Sequence, residues 1–348
     1  MAGSPHPENL ADQLLQLFEL EKEGIELFAG TGGVTADVHA SLSADELKEK
    51  IAGYDGLIVR SASRVTASVV ESAPRLKVIG RAGIGYDNID VDAASRRGIV
   101  VMNTPGANAI TTAEHAISLL LALSRHIPQA AASLKSGKWE KKKFMGVEVF
   151  NQTLGVIGLG NIGQVVADRA RGLKMRVIAF DPFLTEEAMV KRGGDRVTFE
   201  QLLAQSDYIT VHTPLTDSTR NLIDARAFKQ MKKGVRIINC ARGGIVNEGD
   251  LYDAIKQGIV AGAALDVFEH EPPEGNPLLG LDEVIATPHL GASTTQGQAR
   301  VAEAIVRQVK DYLEKGIITN AVNVPSVSPE LLEQVRPYLT LAEKMGSF

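Results

Sequence analysis

Three polar side chains in the second half of the chain fall where a parallel sheet would present its chemistry. Arg242 follows the run GVRIINCA, Glu271 follows GAALDVFEH, and His289 follows EVIATP. Each stands at the carboxyl end of a predicted strand, the edge at which open α/β sheets bind ligands. An arginine there can clamp a carboxylate through two hydrogen bonds and polarise a neighbouring carbonyl. A histidine whose far nitrogen is held by a carboxylate is suited to moving a proton. The carboxylate fixes the tautomer and favours the imidazolium. Spacing alone leaves plainer readings open: a satisfied strand-end histidine, and a solvated glutamate before prolines.

A second constellation precedes these. Thr153 to Ile157 is a short apolar, β-branched run suited to a strand buried on both faces. Gly158, Gly160 and Gly163 then form G-x-G-x-x-G, and IGQVVADRARGL continues with helical spacing. Gly158 allows the tight turn, Gly160 lets a pyrophosphate approach the backbone, and Gly163 lets helix and strand pack closely. The free N–H groups at the helix start can hold the phosphates. A further strand, Met175 to Phe180, delivers Asp181 to accept hydrogen bonds from a ribose diol. Pro182 and Phe183 follow, with no arginine to meet a 2′-phosphate, which favours NAD over NADP. With NAD, the trio describes hydride transfer at a 2-hydroxy acid, His289 taking the hydroxyl proton as the C2 hydride leaves.

The elements that must position these groups alternate strand and helix along most of the chain, so the expected fold class is α/β. Two doubly wound parallel-sheet domains are predicted, a Rossmann-type NAD domain inserted into a smaller flavodoxin-like substrate domain. The boundaries are 1–103 plus 296–330 for the substrate domain and 104–295 for the NAD domain, with 331–348 as a truncated-looking carboxy-terminal segment. NTPGAN breaks the pattern as a hinge should, and a long helix runs from Thr111, with Thr111 or Thr112 as N-cap, to about Ser124. Another helix, Gln296 to Lys315, carries the chain back to the first domain, and the two hinges suggest a cleft that opens and closes.

Composition excludes several classes. A net charge of −5 argues against a general nucleic-acid binder. The most apolar run, AISLLLALS, is too short for a bilayer. The single cysteine, Cys240, excludes an internal disulfide and a cysteine metal cluster, so no metal is expected. The start lacks a secretory pattern, and a cytoplasmic location is expected.

GLGNIG with Asp181, VHTPL, NCARGGIVNE, ALDVFEHEPP and TPHLGAST together resemble the D-isomer-specific 2-hydroxyacid dehydrogenase family, over about Ala52 to Asn323. The resemblance implies that Arg242 binds and activates substrate, that Glu271 pairs with His289, and that His289 is the acid/base. It further implies cofactor contacts from Asn161, Ile162, Thr213, Pro214, Cys240 and Ala241, and from Leu290, Gly291 and Ala292. It also suggests that Asp266 orients the carboxamide. LIVRSASRV, VIGRAGIGYDNID, VMNTPGAN and GKWEKKKFMG resemble a branch acting on a phosphorylated 2-hydroxy acid. A phosphate of nearly two charges needs more than one arginine, so Arg60 and Arg81 are expected to hold it. The N–H groups of Gly83 and Ile84 would hold the carboxylate. An unphosphorylated acid and a non-catalytic NAD(H)-sensing role remain as alternatives. The long helix and the segment around Trp139 resemble a family dimer interface, so a homodimer or homotetramer is expected.

Both ends depart from the family pattern. MAGSPHPEN reads as loop where a first central strand would stand, LADQLLQLFELEKEG reads as a helix, IELFA as a strand, and GTGGVTADVHASLS as a long connection. The small domain is therefore expected either to lack its first strand or to fill that place with another segment, and to be the less stable domain. VSPELLEQVRPYLTLAEKMGSF looks like the entry to additional carboxy-terminal domains, and regulation through such a domain is not expected.

Overall fold

Strands covered by helices on both faces need apolar side chains at consecutive positions. Runs such as GLIV and YITV meet that need throughout. The computed structural model describes residues 12–16, 34–39 and 42–325, together with 335, 337, 338, 341 and 345. Two compact units emerge, Met1–Asn108 with Thr295–Phe348, and Ala109–Thr294.

In the first unit, β1 (Asp12–Gln16), β2 (Val34–Val38), β3 (Gly56–Val59), β4 (Val78–Arg81) and β5 (Val100–Met102) form a parallel sheet ordered β2-β1-β3-β4-β5. That is the flavodoxin-like order. Leu15, Leu57, Val59, Ile79 and Val101 fill the core on one face. Leu14, Ile58, Val78 and Met102 face the other, against helix Thr295–Lys315 through Val301, Ile305, Val306 and Val309.

The amino-terminal reading needs correction. Residues 12–16, expected within a helix, form the strand between β2 and β3, and β2 lies in the stretch expected as a connection. The leucine spacing suits a helix, yet pairing on both sides satisfies this backbone, and Leu14 and Leu15 are fully buried on opposite faces. The place of the first strand is thus filled, which removes the reason given for a weaker small domain. MAGSPHPEN and IELFA lie outside the described residues, as does most of 331–348. Leu15→Ala is expected to destabilise this unit by about 2–5 kcal/mol, read as a lower denaturant midpoint; a loss typical of a surface loop would contradict the strand.

In the second unit, β6 (Thr153–Ile157), β7 (Arg176–Phe180), β8 (Asp195–Arg196), β9 (Tyr208–Val211), β10 (Val235–Asn239), β11 (Val260–Leu265) and β12 (Val284–Ala286) are all parallel. Their order is β12-β11-β10-β9-β6-β7-β8, so the order in which strands are added reverses between β6 and β9. That reversal is the Rossmann switch point, where ligands bind. Helices Ala109–Ser124 and Asn161–Gly172 cover one face, through Leu119, Leu120 and Val166. Helices Phe199–Gln205, Ala225–Gln230 and Glu248–Lys256 cover the other, through Leu202, Phe228 and Leu251. The first of these helices starts before the threonines expected to cap it, so Thr111 and Thr112 are buried inside it. Among the described residues, no helix is long and apolar enough to cross a membrane.

Candidate active site

The loop after β6 shows what its glycines are for. Gly158 has φ +87°, and a Cβ there would lie 2.7 Å from the His212 carbonyl oxygen. At Gly163 a Cβ would overlap the Gly158 carbonyl, so helix Asn161–Gly172 sits hard against the turn. Gly160 is the N-cap of that helix and has open space where a side chain would be, with Asn161 and Ile162 beginning the first turn. Asp181, just past β7, accepts the Leu159 and Phe183 N–H groups at 3.0 Å each, which fixes its carboxylate beside the loop. Thr213 adds a buried hydroxyl with no hydrogen-bond partner among the described residues. An open cradle, a helix start and an orphaned hydroxyl fit a dinucleotide. Burial drives the His212 ring pKa down to about 3, so this neighbour of Thr213 stays neutral. Burial, with the Asp266 charge, pushes the Cys240 thiol up, and Cys240 and Ala241 are both buried.

The sheet edge brings the expected trio together. Glu271 Oε2 lies 2.8 Å from His289 Nδ1, and Oε1 accepts the Phe268 N–H at 3.1 Å. Burial pushes the Glu271 carboxyl up. Hydrogen bonds from His289 and Phe268 and the charges of His289 and Arg242 outweigh it and hold the carboxyl below its ordinary range. Nδ1 is therefore committed to Glu271, and the transferable proton belongs to Nε2. Asn239, at the end of β10, clasps the Arg242 turn: its side chain accepts the Ala241 N–H at 3.0 Å and donates to the Arg242 carbonyl at 2.9 Å. A Cβ at Gly243 would overlap the Phe268 carbonyl, so only glycine lets this turn lie against the segment that carries Glu271.

Asp266 lies at the centre of a hydrogen-bonded cluster. Its carboxylate has no exposed surface and accepts from His115, Thr287 and the Leu290 N–H on Oδ1 and from the Gly291 N–H on Oδ2. It supports the Leu290–Gly291 turn from beneath, and Leu290 itself is exposed and Ala292 half-buried. His115 and Asn239 were not singled out from the sequence. Asn239 could have been, because its amide sits at the end of an apolar strand three residues before Arg242.

In the first unit, Arg60 follows β3 and Arg81 ends β4, with Val59 and Arg81 in register on adjacent strands. Burial pulls the Arg60 pKa below its ordinary value. Arg81 Nη1 donates to the Ala82 carbonyl at 2.9 Å and passes over Gly83, where φ is +140° and a Cβ would overlap the guanidinium. Of the two amides expected to hold a carboxylate, Gly83 N–H already donates to Thr104 Oγ1 at 2.9 Å. The Ile84 N–H carries no hydrogen bond among the described residues, and its carbonyl is held by Asn103 Nδ2 at 2.6 Å. Thr104 thus satisfies the Gly83 amide, as a buried donor requires.

A Rossmann sheet with this glycine loop and a His–Glu pair at its carboxyl edge defines an NAD-dependent dehydrogenase architecture. Residues 117–291 match the model of the D-isomer specific 2-hydroxyacid dehydrogenase NAD-binding domain, and the chain belongs to that family, with NAD as its cofactor. It is 50% identical over 328 residues to the D-3-phosphoglycerate dehydrogenase of Archaeoglobus fulgidus, covering 94% of this chain and 62% of that one. The human D-3-phosphoglycerate dehydrogenase is 46% identical over 316 residues, covering 91% and 59%. The chain thus spans about three fifths of the length of these relatives. Among solved structures, a glyoxylate reductase from Paecilomyes thermophila superposes with a TM-score of 0.83 at 29% identity, covering 90% of this chain and 98% of that one. A protein from Thermus thermophilus gives 0.80 at 33% identity, covering 89% and 99%.

Proposed function

We propose that this chain catalyses NAD-dependent interconversion of D-3-phosphoglycerate and 3-phosphohydroxypyruvate, the oxidation step that leads toward serine. The carrying observation is the 2.8 Å contact between His289 Nδ1 and Glu271, with the Arg242 turn packed beside it. The names of the relatives at 46–50% identity support the substrate. In this reading the Ala109–Thr294 unit is the cofactor domain and the other unit the substrate domain. Bound NAD supplies a hydride acceptor at its nicotinamide ring. His289 Nε2 takes the C2 hydroxyl proton in oxidation and returns it in reduction, and Glu271 stabilises the imidazolium formed between those events. Arg242 holds the substrate carboxylate and polarises the C2 oxygen. Ile84 N–H gives the carboxylate a further donor, and Arg60 with Arg81 neutralises the phosphate.

The direct test follows loss of NADH absorbance with 3-phosphohydroxypyruvate and then with hydroxypyruvate. Strong preference for the phosphorylated acid is expected. Equal or better use of hydroxypyruvate would move the chain to the reductase branch, and NADH binding without turnover would leave a sensing role.

Asp181 sets cofactor choice in this reading. Asp181→Ala is expected to weaken NADH binding about tenfold, the worth of one hydrogen bond to a charged group, and to narrow the preference over NADPH. Fluorescence titration with both cofactors reads this; an unchanged ratio would remove Asp181 from the ribose site.

We also propose that the chain self-associates through the 127–150 segment and works in the cytoplasm. Ile127, Leu134, Trp139, Met145 and Phe150 are all exposed there, Trp139 to 83%. Sedimentation is expected to show a dimer or tetramer that Trp139→Glu shifts toward monomer.

A further inference from the structure

His115 lies on helix Ala109–Ser124, 151 residues before Asp266, and makes no hydrogen bond to the glycine loop or to the His289–Glu271 pair. Its Nε2 sits 3.2 Å from Asp266 Oδ1 and 3.2 Å from Thr287 Oγ1. An ionised carboxylate only accepts, so Nε2 carries the proton. The Thr287 hydroxyl spends its own proton on Asp266 Oδ1 at 2.6 Å, leaving its oxygen free to accept from His115. Leu290 N–H reaches the same Oδ1 at 2.7 Å, and Gly291 N–H reaches Oδ2 at 2.8 Å. One enclosed carboxylate thus ties together the helix, the end of β12 and the two residues that follow His289.

That tie bears on His289. Its φ is +55°, a left-handed conformation that persists in a non-glycine residue only where the surroundings enforce it. The enforcing contacts all converge on Asp266 and its neighbour. His289 N–H donates to the Asp266 carbonyl at 2.9 Å and the Thr287 carbonyl at 3.0 Å, while the next two amides donate to the Asp266 carboxylate.

We infer that His115 is a positioning residue: by donating to the Asp266 carboxylate it fixes the 289–291 turn that aims His289 at the substrate. The inference rests on the acid/base role proposed for His289. Burial opposes ionisation of Asp266, and the His115 hydrogen bond is the largest of the contributions that overcome it, ahead of Thr287 and the Leu290 N–H. Asp266 in turn pushes up the thiol of neighbouring Cys240, which stays neutral. Protonating Asp266 would remove an acceptor from beneath the turn. Losing His115 raises the pH at which that happens, so the acid limb of turnover moves upward.

The test compares His115→Leu with His115→Gln, whose amide nitrogen can take the place of Nε2. Each is assayed for reduction of 3-phosphohydroxypyruvate across pH and for NADH binding by fluorescence. His115→Leu is expected to lower kcat about tenfold, the scale of one lost charge-assisted hydrogen bond, with the acid limb displaced to higher pH and NADH affinity within about twofold. His115→Gln is expected to restore both kcat and the limb. Thr287→Val removes the neighbouring donor and should displace the same limb, which keeps the inference testable if His115→Leu does not fold. An active wild type with an unchanged pH profile in His115→Leu, or equal losses in Leu and Gln variants, would overturn the inference alone. An inactive wild type that binds NADH would instead overturn the proposed function beneath it.

Discussion

His289→Asn is expected to lower kcat for reduction of 3-phosphohydroxypyruvate by about 10²–10⁴-fold, the range measured when a positioned general acid is removed. The substitution keeps a polar group on the Glu271 side and deletes the ring nitrogen that would reach the substrate. Among the described residues no hydrogen bond joins His289 to the glycine loop, so NADH affinity should stay within about twofold, and fluorescence titration checks this beside the kinetics. A variant retaining a tenth of the activity would put the acid elsewhere. Glu271→Gln should follow in the same direction with a smaller loss, because the hydrogen bond survives and the charge does not. The sign of the pH effect follows from the pair. Glu271 is held below the ordinary carboxylate range, so its ionised form is present at neutral pH and its contribution is lost only as pH falls through that lowered value. Turnover should therefore fall on the acid side as Glu271 is protonated, and Glu271→Gln should flatten that limb, which a pH–rate profile reads.

The glycine loop was legible because its chemistry dictates local spacing. A pyrophosphate cradle needs Gly158, Gly160 and Gly163 at those intervals, and the structure places each where a side chain would either collide or fill the cradle. Arg242, Glu271 and His289 were legible for a different reason. A parallel sheet delivers its strand ends to one edge, so placing β10, β11 and β12 sufficed.

What stayed hidden depended on partners far along the chain. Asp12–Gln16 has a helix-like leucine spacing, and only pairing with Val34–Val38 and Gly56–Val59 makes it a strand. The donors that enclose Asp266 are hidden in the same way, because a strand-end position says nothing of them. The His115 donor comes from 151 residues away. A histidine amid AITTAEHAISL carries no local mark of that contact. The partner of the Gly83 amide is equally distant, since Thr104 Oγ1 lies 21 residues on.

The phosphate assignment stands or falls with Arg60. Arg60→Ala is expected to lower kcat/KM for 3-phosphohydroxypyruvate by about 10²-fold or more, the equivalent of roughly 3 kcal/mol for a desolvated charge pair that loses one partner. With hydroxypyruvate the loss should stay under about threefold, because no dianion is left for the guanidinium to meet. Desolvation supports a large effect: burial already disfavours the charged form of Arg60, so a phosphate entering beside it would meet a charge poorly screened by water. Arg60→Lys should fall between, keeping charge but losing the two-pronged geometry. Raising salt should weaken a screened surface contact much more than this one. The glycine loop belongs to the other unit, so NADH binding should be unchanged, and turnover of hydroxypyruvate serves as the control for folding of the unit that carries Arg60. Equal losses on both acids would show that Arg60 holds the backbone of its own unit, where its carbonyl already accepts Asn88 Nδ2 at 2.9 Å, and would return the substrate question to the unphosphorylated branch.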